Sequence, residues 1–301
     1  MASQINSSGL GIAAKSQKEI VVDFSQLHLK RAGILALLLI FLVFNNSYGE
    51  GTKEDTLHKG VESLNKGDYD TAISNFNKVI EISPNYAEAY YDRGLAYYKK
   101  GDAGQAITDY TKAIEIAPNL AVAYNNRGYA YNHKGNYDQA IIDCSKAIEI
   151  NPNYAEAYYN LGYAYMKKGN PDQAILDCTK AIEIKPNYPD AYYTRGFAYG
   201  YKGNYDQTIL DCTKAIEIKP NYPDAYYGRG FAYYQKGNYG QAISDFNNAI
   251  KIDPTFAAAY YIRGIIYIAG KEYDKARDDL NKAEELGVKI NDSLKKVLFR
   301  K

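Results

Sequence analysis

Ala155–Tyr188 reads AEAYYNLGYAYMKKGNPDQAILDCTKAIEIKPNY. Two apolar-periodic segments, each long enough for a helix, are separated by Lys168-Gly169-Asn170, and the stretch closes on Pro186. In the first segment Ala157, Leu161 and Ala164 follow an i, i+4, i+7 stripe, with Tyr158, Gly162 and Tyr165 beside it. Ala174, Cys178, Ala181 and Ile182 repeat the pattern in the second segment. Asn170 is a natural N-cap, and Pro171 falls at the first helical position, where its missing N–H costs nothing. The stretch predicts a helical hairpin of 34 residues.

Shifting by 34 residues in either direction gives the hairpin again. Gly60, Gly94, Gly128, Gly162, Gly196, Gly230 and Gly264 hold one position in seven consecutive units, at 53–86, 87–120, 121–154, 155–188, 189–222, 223–256 and 257–290. In the fourth unit Tyr158, Leu161, Gly162, Tyr165, Ala174, Cys178 and Pro186 match the pattern W-x2-L-G-x2-Y…A-x3-F…P, with tyrosine for tryptophan and cysteine for phenylalanine. On these residues residues 53–290 resemble the tetratricopeptide repeat family. The resemblance implies an all-α fold, a right-handed α-solenoid of seven hairpins. Asn291-Asp292-Ser293 open a further short helix with Leu294, Val297 and Leu298 on one face, read as a cap over 291–301.

The departures from the pattern carry expectations of their own. Arg93, Arg127, Arg195, Arg229 and Arg263 stand where the family usually has leucine, and Asp109, Asp143, Asp211, Asp245 and Asp279 accompany them on the second helix. The first unit has Lys59 with Asn75, and the fourth Leu161 with Asp177. This co-occurrence predicts an Arg–Asp contact within each hairpin. Gly101, Gly135, Gly169, Gly203 and Gly237 mark the inner turn; in the seventh unit Lys271 stands there, so its turn should differ. Pro-Asn between units predicts a helix stop and an Asn N-cap for the next helix. Thr208 replaces a small alanine, and 178–211 differs from 212–245 at six positions, Gly200/Tyr234 and Tyr201/Gln235 among them.

Ahead of the repeats, residues 1–31 are polar and mixed and read as a flexible leader. Gly9–Ser16 brushes against a phosphate-binding loop, but Ala14 replaces the second glycine and no predicted strand precedes it. Lys30-Arg31 precede the apolar run Ala32–Phe44. The segment 32–49 suits a signal-peptide h-region or a single membrane anchor, with the basic flank cytoplasmic and the repeats exported across or tethered to a bacterial inner membrane, on its periplasmic side.

Composition narrows the function. The net charge of +1 provides no basic excess for a nucleic-acid partner. There are 33 tyrosines and no tryptophan. Cys144, Cys178 and Cys212 recur at the repeat spacing and read as small core residues. No metal or nucleophile motif occurs, His28, His58 and His133 stand apart, and a repeated surface lacks the single unlike constellation that catalysis needs. The expectation is a non-enzyme with no metal, no cofactor and no small-molecule substrate.

The resemblance further implies that first helices line a concave groove and that positions 2, 5, 9, 12 and 13 of each unit face it. A peptide or helix of a partner protein would bind among Tyr91, Leu95, Tyr98, Asn125, Tyr129, Asn132, Tyr159, Tyr163, Met166, Tyr193, Phe197, Tyr201, Tyr227, Phe231, Tyr234, Tyr261 and Ile265. Tyr90, Tyr97 and their equivalents are expected in the core. Asn126 and Asn160 alone do not rebuild the lysine–asparagine carboxylate clamp of the family's chaperone-binding members. The alternative is a structural solenoid that assembles with itself in the cell envelope.

Overall fold

The computed structural model describes residues 52–291 and 294. The leader, the apolar segment 32–49 and nearly all of the expected capping helix lie outside the described residues. Among those described there are fourteen helices and no strand, and no helix is long and apolar enough to cross a membrane. The chain divides into two compact units at Asn85.

In its described residues the first unit is one hairpin. Helix α1 (52–65) turns through Gly67, at φ +80°, into α2 (Tyr69–Ile82), whose N-cap Asp68 accepts a hydrogen bond from the Thr71 amide. A Cβ on Gly60 would stand 2.6 Å from the Phe76 ring, so only glycine lets the helices close to this distance.

The second unit is built of six more hairpins: α3 (Ala87–Lys100) with α4 (Ala103–Ile116), α5 (Ala121–His133) with α6 (Tyr137–Ile150), α7 (Ala155–Lys167) with α8 (Pro171–Ile184), α9 (Pro189–Tyr201) with α10 (Tyr205–Ile218), α11 (Pro223–Gln235) with α12 (Tyr239–Ile252), and α13 (Ala257–Ala269) with α14 (Tyr273–Glu285). Each hairpin packs on the next, as an α-solenoid requires. Inner turns follow one scheme. The Gly169 amide reaches the Met166 carbonyl at 3.0 Å and the Asn170 amide the Tyr165 carbonyl at 2.9 Å, the Schellman closure that places glycine at positive φ. Asn170 then caps α8 by accepting from the Gln173 amide, with Pro171 at the first helical position. In the last hairpin Lys271 itself takes the left-handed conformation, at φ +61°.

First helices start differently from the expectation. Their N-caps are Tyr86, Leu120, Tyr154, Tyr188, Tyr222 and Phe256, and none makes a side-chain cap bond. At three of these starts the ring after the asparagine or threonine packs on the preceding first helix: Tyr188, Tyr222 and Phe256 lie 5.1, 5.3 and 5.1 Å from Tyr159, Tyr193 and Tyr227, centroid to centroid.

The core is finer-grained than tyrosine counting suggests. Fully buried positions are alanines on both helices together with Phe76, Val79, Tyr110, Cys144, Cys178, Cys212, Phe246 and Leu280 on the second. A Cβ on Gly162 would meet Cys178 Sγ at 2.7 Å. Burial raises all three cysteine thiols, Cys212 to about 12, so they stay protonated and inert. Tyr90, Tyr97 and their equivalents, expected in the core, are only half-buried. The second-helix residue fills the space beneath them, and the Arg93 guanidinium lies over the Tyr90 ring at 5.4 Å.

The Arg–Asp contact is present in all five units expected to have it. Arg195 donates from Nε to Asp211 Oδ2 and from Nη2 to Asp211 Oδ1, both at 2.8 Å. Arg93, Arg127, Arg229 and Arg263 make the same fork to their aspartates. A further bond runs between hairpins. Nη1 of Arg127, Arg195 and Arg229 reaches Thr111, Thr179 and Thr213 of the preceding second helix at 3.0–3.1 Å, and Arg263 reaches Asn247 likewise. In the fourth unit, with Leu161 in place of arginine, Asp177 has only the Gln173 amide at 3.2 Å, and burial raises its carboxyl to about 6.

At the end of the described chain Val288, Ile290 and Leu294 pack onto Leu280 and Ala283. They cover the apolar side of the last hairpin where the cap was expected to begin.

Candidate binding face on the first helices

The expected binding residues of α3, α5, α7, α9, α11 and α13 separate into three sets. Tyr129, Phe197 and Tyr201 are exposed, Tyr201 most of all at 69%. Tyr91, Tyr98, Tyr159, Tyr163, Tyr193, Tyr227, Phe231, Tyr234 and Tyr261 are half-buried, as are Leu95 and Ile265. Asn125, Asn132 and Met166 are buried, which corrects their expected place on the open face. Position 12 points across to the neighbouring hairpin, so Met166 joins Ala174 and Ala198 in a core cluster.

Position 5 is the hinge between core and surface. Tyr159, Tyr193 and Tyr227 each lie one helical turn before a position-9 ring, at 6.4, 6.2 and 6.3 Å from Tyr163, Phe197 and Phe231. Each also packs against the ring that opens the next hairpin: Tyr188, Tyr222 and Phe256, at 5.1, 5.3 and 5.1 Å. Burial pushes the phenols of Tyr159, Tyr193 and Tyr222 well above their ordinary range, and Asp190 adds to the effect at Tyr222. These rings stay neutral.

Polar groups gather at one end of this face. Asn160 Nδ2 donates to Asn125 Oδ1 at 2.9 Å, Asn125 Nδ2 to Asn126 Oδ1 at 3.1 Å, and Asn126 Nδ2 to the Tyr91 hydroxyl at 3.1 Å. Asn132 Nδ2 donates to the Asn160 carbonyl at 2.9 Å, which leaves its buried Oδ1 without a protein partner. Asn132 and Asn160 also help line a hollow of about 180 Å³, together with Tyr129, His133, Tyr159 and Tyr163. The hollow combines aromatic rings with amide and imidazole side chains.

A second hollow, of about 360 Å³, opens between α9, α10 and α11. Tyr193, Phe197, Tyr201, Tyr205, Tyr227 and Phe231 give it an almost wholly aromatic wall. Its floor holds Gly200, Thr208, Cys212 and Gly228. Sequence reading noted Gly200 and Thr208 only as differences between copies. The signal for a gap was the pairing of Gly200 with Gly228 across adjacent units.

Sequence models described as tetratricopeptide repeat match residues 87–120, 155–188 and 223–256, then 109–142 and 178–209, then 257–286. One described as TPR repeat matches 64–101, 128–169 and 201–237. An uncharacterized protein of Methanocaldococcus jannaschii is 50% identical over 38 residues, which span 13% of this chain and 44% of that protein. A tetratricopeptide repeat protein from Parabacteroides merdae aligns with TM-score 0.63 at 24% identity, over 82% of this chain and 98% of that one. PilF of Pseudomonas aeruginosa aligns with TM-score 0.61 at 17% identity, over 68% and 94%. YrrB, described as a TPR protein with an unusual peptide-binding site, aligns with TM-score 0.52 at 26% identity, over 62% and 97%. These repeats make up a fold consistent with a protein-interaction scaffold and typically without enzymatic activity. With matches running through residues 64–286, the chain belongs to the tetratricopeptide repeat family.

Proposed function

We infer that this protein is a non-enzymatic scaffold that binds a peptide or helix of another protein along the rings of its first helices. The observation that carries the reading is the set Tyr129, Phe197 and Tyr201, exposed among half-buried tyrosines on the first helices of the third and fifth hairpins. Rigid rings give contact area at low entropic cost. The likeness to YrrB, with its own peptide-binding site, supports the same reading. The test is capture of the partner by the full chain and by a variant with serine at 129, 197 and 201. These side chains are exposed, so folding should be retained while capture falls. Equal capture by both would place the contact elsewhere.

Export or tethering belongs to the proposal. Lys30-Arg31 followed by the apolar run Ala32–Phe44 fits a translocated chain with its repeats outside the inner membrane. Protease added to intact bacterial cells with a permeabilised outer membrane should digest the repeats; complete protection would reject this part.

One feature favours the self-assembling alternative. Ile142, Leu176 and Leu210 recur at one position of three successive second helices and are 58%, 63% and 63% exposed. Sedimentation of the full chain and of a variant with serine at all three positions decides it. A smaller species for the variant supports assembly, and the same monomer for both goes against it.

A further inference from the structure

The aromatic hollow between α9, α10 and α11 exists because three replacements fall together. Position 12 of the fifth unit is Gly200, where the second, fourth and sixth units have Tyr98, Met166 and Tyr234. Position 6 of the next unit is Gly228, where the fifth has Thr194. Position 20 is Thr208, where every other unit has alanine. A Cβ on Gly200 would stand 3.2 Å from Thr208 Oγ1, and one on Gly228 3.2 Å from Cys212 Sγ, so ordinary side chains at both positions would grow into this space.

The chain itself shows what fits there. At the junction of the second and third units the Tyr98 ring takes the equivalent place, 5.2 Å from Tyr129 and 5.6 Å from His133. At the junction of the fourth and fifth it is Met166, 8% exposed. The walls present no charge. Thr208 Oγ1 donates within the chain, to the Gly196 or Asn204 carbonyl at 2.9 and 3.1 Å, and the Cys212 thiol is held protonated by burial. An apolar cavity of about 150 Å³ admits a benzene ring, so about 360 Å³ has room for a fused ring and its attachment to a backbone.

We propose that this hollow receives the aromatic side chain of a partner polypeptide, in place of the ring the chain omits at Gly200. The inference rests on the reading of the first helices as a protein-binding face and assigns one anchor to it. Aromatic anchors in desolvated pockets are the contacts that dominate such interfaces. A charged side chain would lose its hydration there with nothing to replace it.

The chain contains no tryptophan, so the emission of a tryptophan-bearing probe reports occupancy directly. A short Gly-Trp-Gly peptide, blocked at both ends and held at low concentration, is titrated with the full chain. It is titrated in parallel with a variant carrying Gly200→Met, Thr208→Ala and Gly228→Thr. The variant installs the residues of the preceding junction, Met166, Ala174 and Thr194, and its melting temperature should equal or exceed that of the native chain. A saturable blue shift with the native chain, weakened about tenfold or more by filling the hollow and competed by a phenylalanine peptide, is expected. No saturable shift, equal affinity of the filled variant, or competition by a trimethyllysine peptide at the phenylalanine peptide's concentration would overturn the proposal. Free indole binding as tightly as the peptide would overturn the polypeptide as its source. The titration needs no natural partner. Its failure therefore leaves the capture experiment standing, and failed capture leaves the ring affinity readable.

Discussion

At the residue scale, stability is set by what stands at position 24 of each 34-residue unit, on its second helix. Phe246 is fully buried while Tyr226, above it in the same hairpin, is half-buried with Arg229 over its ring at 5.6 Å. Phe246→Ala should therefore cost about 3–5 kcal/mol, and Tyr226→Ala clearly less, in urea unfolding. An equal or larger loss at Tyr226 would show that the first-helix tyrosine is the core after all. Asp177 makes a second case. Its carboxyl is raised to about 6 by burial, so the native state holds this proton more tightly than the unfolded chain does. The resulting stability is full below the unfolded value near 3.8 and is lost as pH rises through about 6. Leu161→Arg should supply the fork found in five other units, lower the Asp177 titration measured by carboxyl NMR, and raise stability at pH 7 by roughly 2–3 kcal/mol. An Asp177 titration that stays put would contradict this account of the pair.

At the element scale, the hairpin was legible because its signals are local. Periodicity, Asn170 followed by Pro171, and glycine at the inner turn each act within a few residues of themselves. The Arg–Asp fork was legible through its co-occurrence between copies. The first-helix N-caps were not, because Tyr188, Tyr222 and Phe256 pack on rings of the preceding hairpin and make no side-chain cap bond. Lys271 also tests local reasoning. A left-handed lysine is strained, whereas glycine adopts that conformation freely at some entropic cost in the unfolded state. Lys271→Gly should raise stability by about 0.5–1 kcal/mol, read as a higher urea midpoint. A lower midpoint would mean that the lysine side chain contributes something its backbone strain conceals.

At the scale of the whole molecule, the site was only partly legible. The family resemblance implied which positions face the groove, but which of them stay open depends on the neighbouring hairpin. Asn125, Asn132 and Met166 are lost to the junctions, while Phe197 and Tyr201 stay open beside the space left by Gly200 and Gly228. The sequence shows each copy clearly and the fit between copies poorly. The central claim is that the rings of the first helices, rather than the exposed leucines of the second, meet the partner. A photo-crosslinking side chain at 197 or 201, compared with one at 176 or 210 in the full chain, tests it most directly. The account predicts one discrete adduct from 197 and 201 and none from 176 and 210. Adducts confined to 176 and 210 would contradict it.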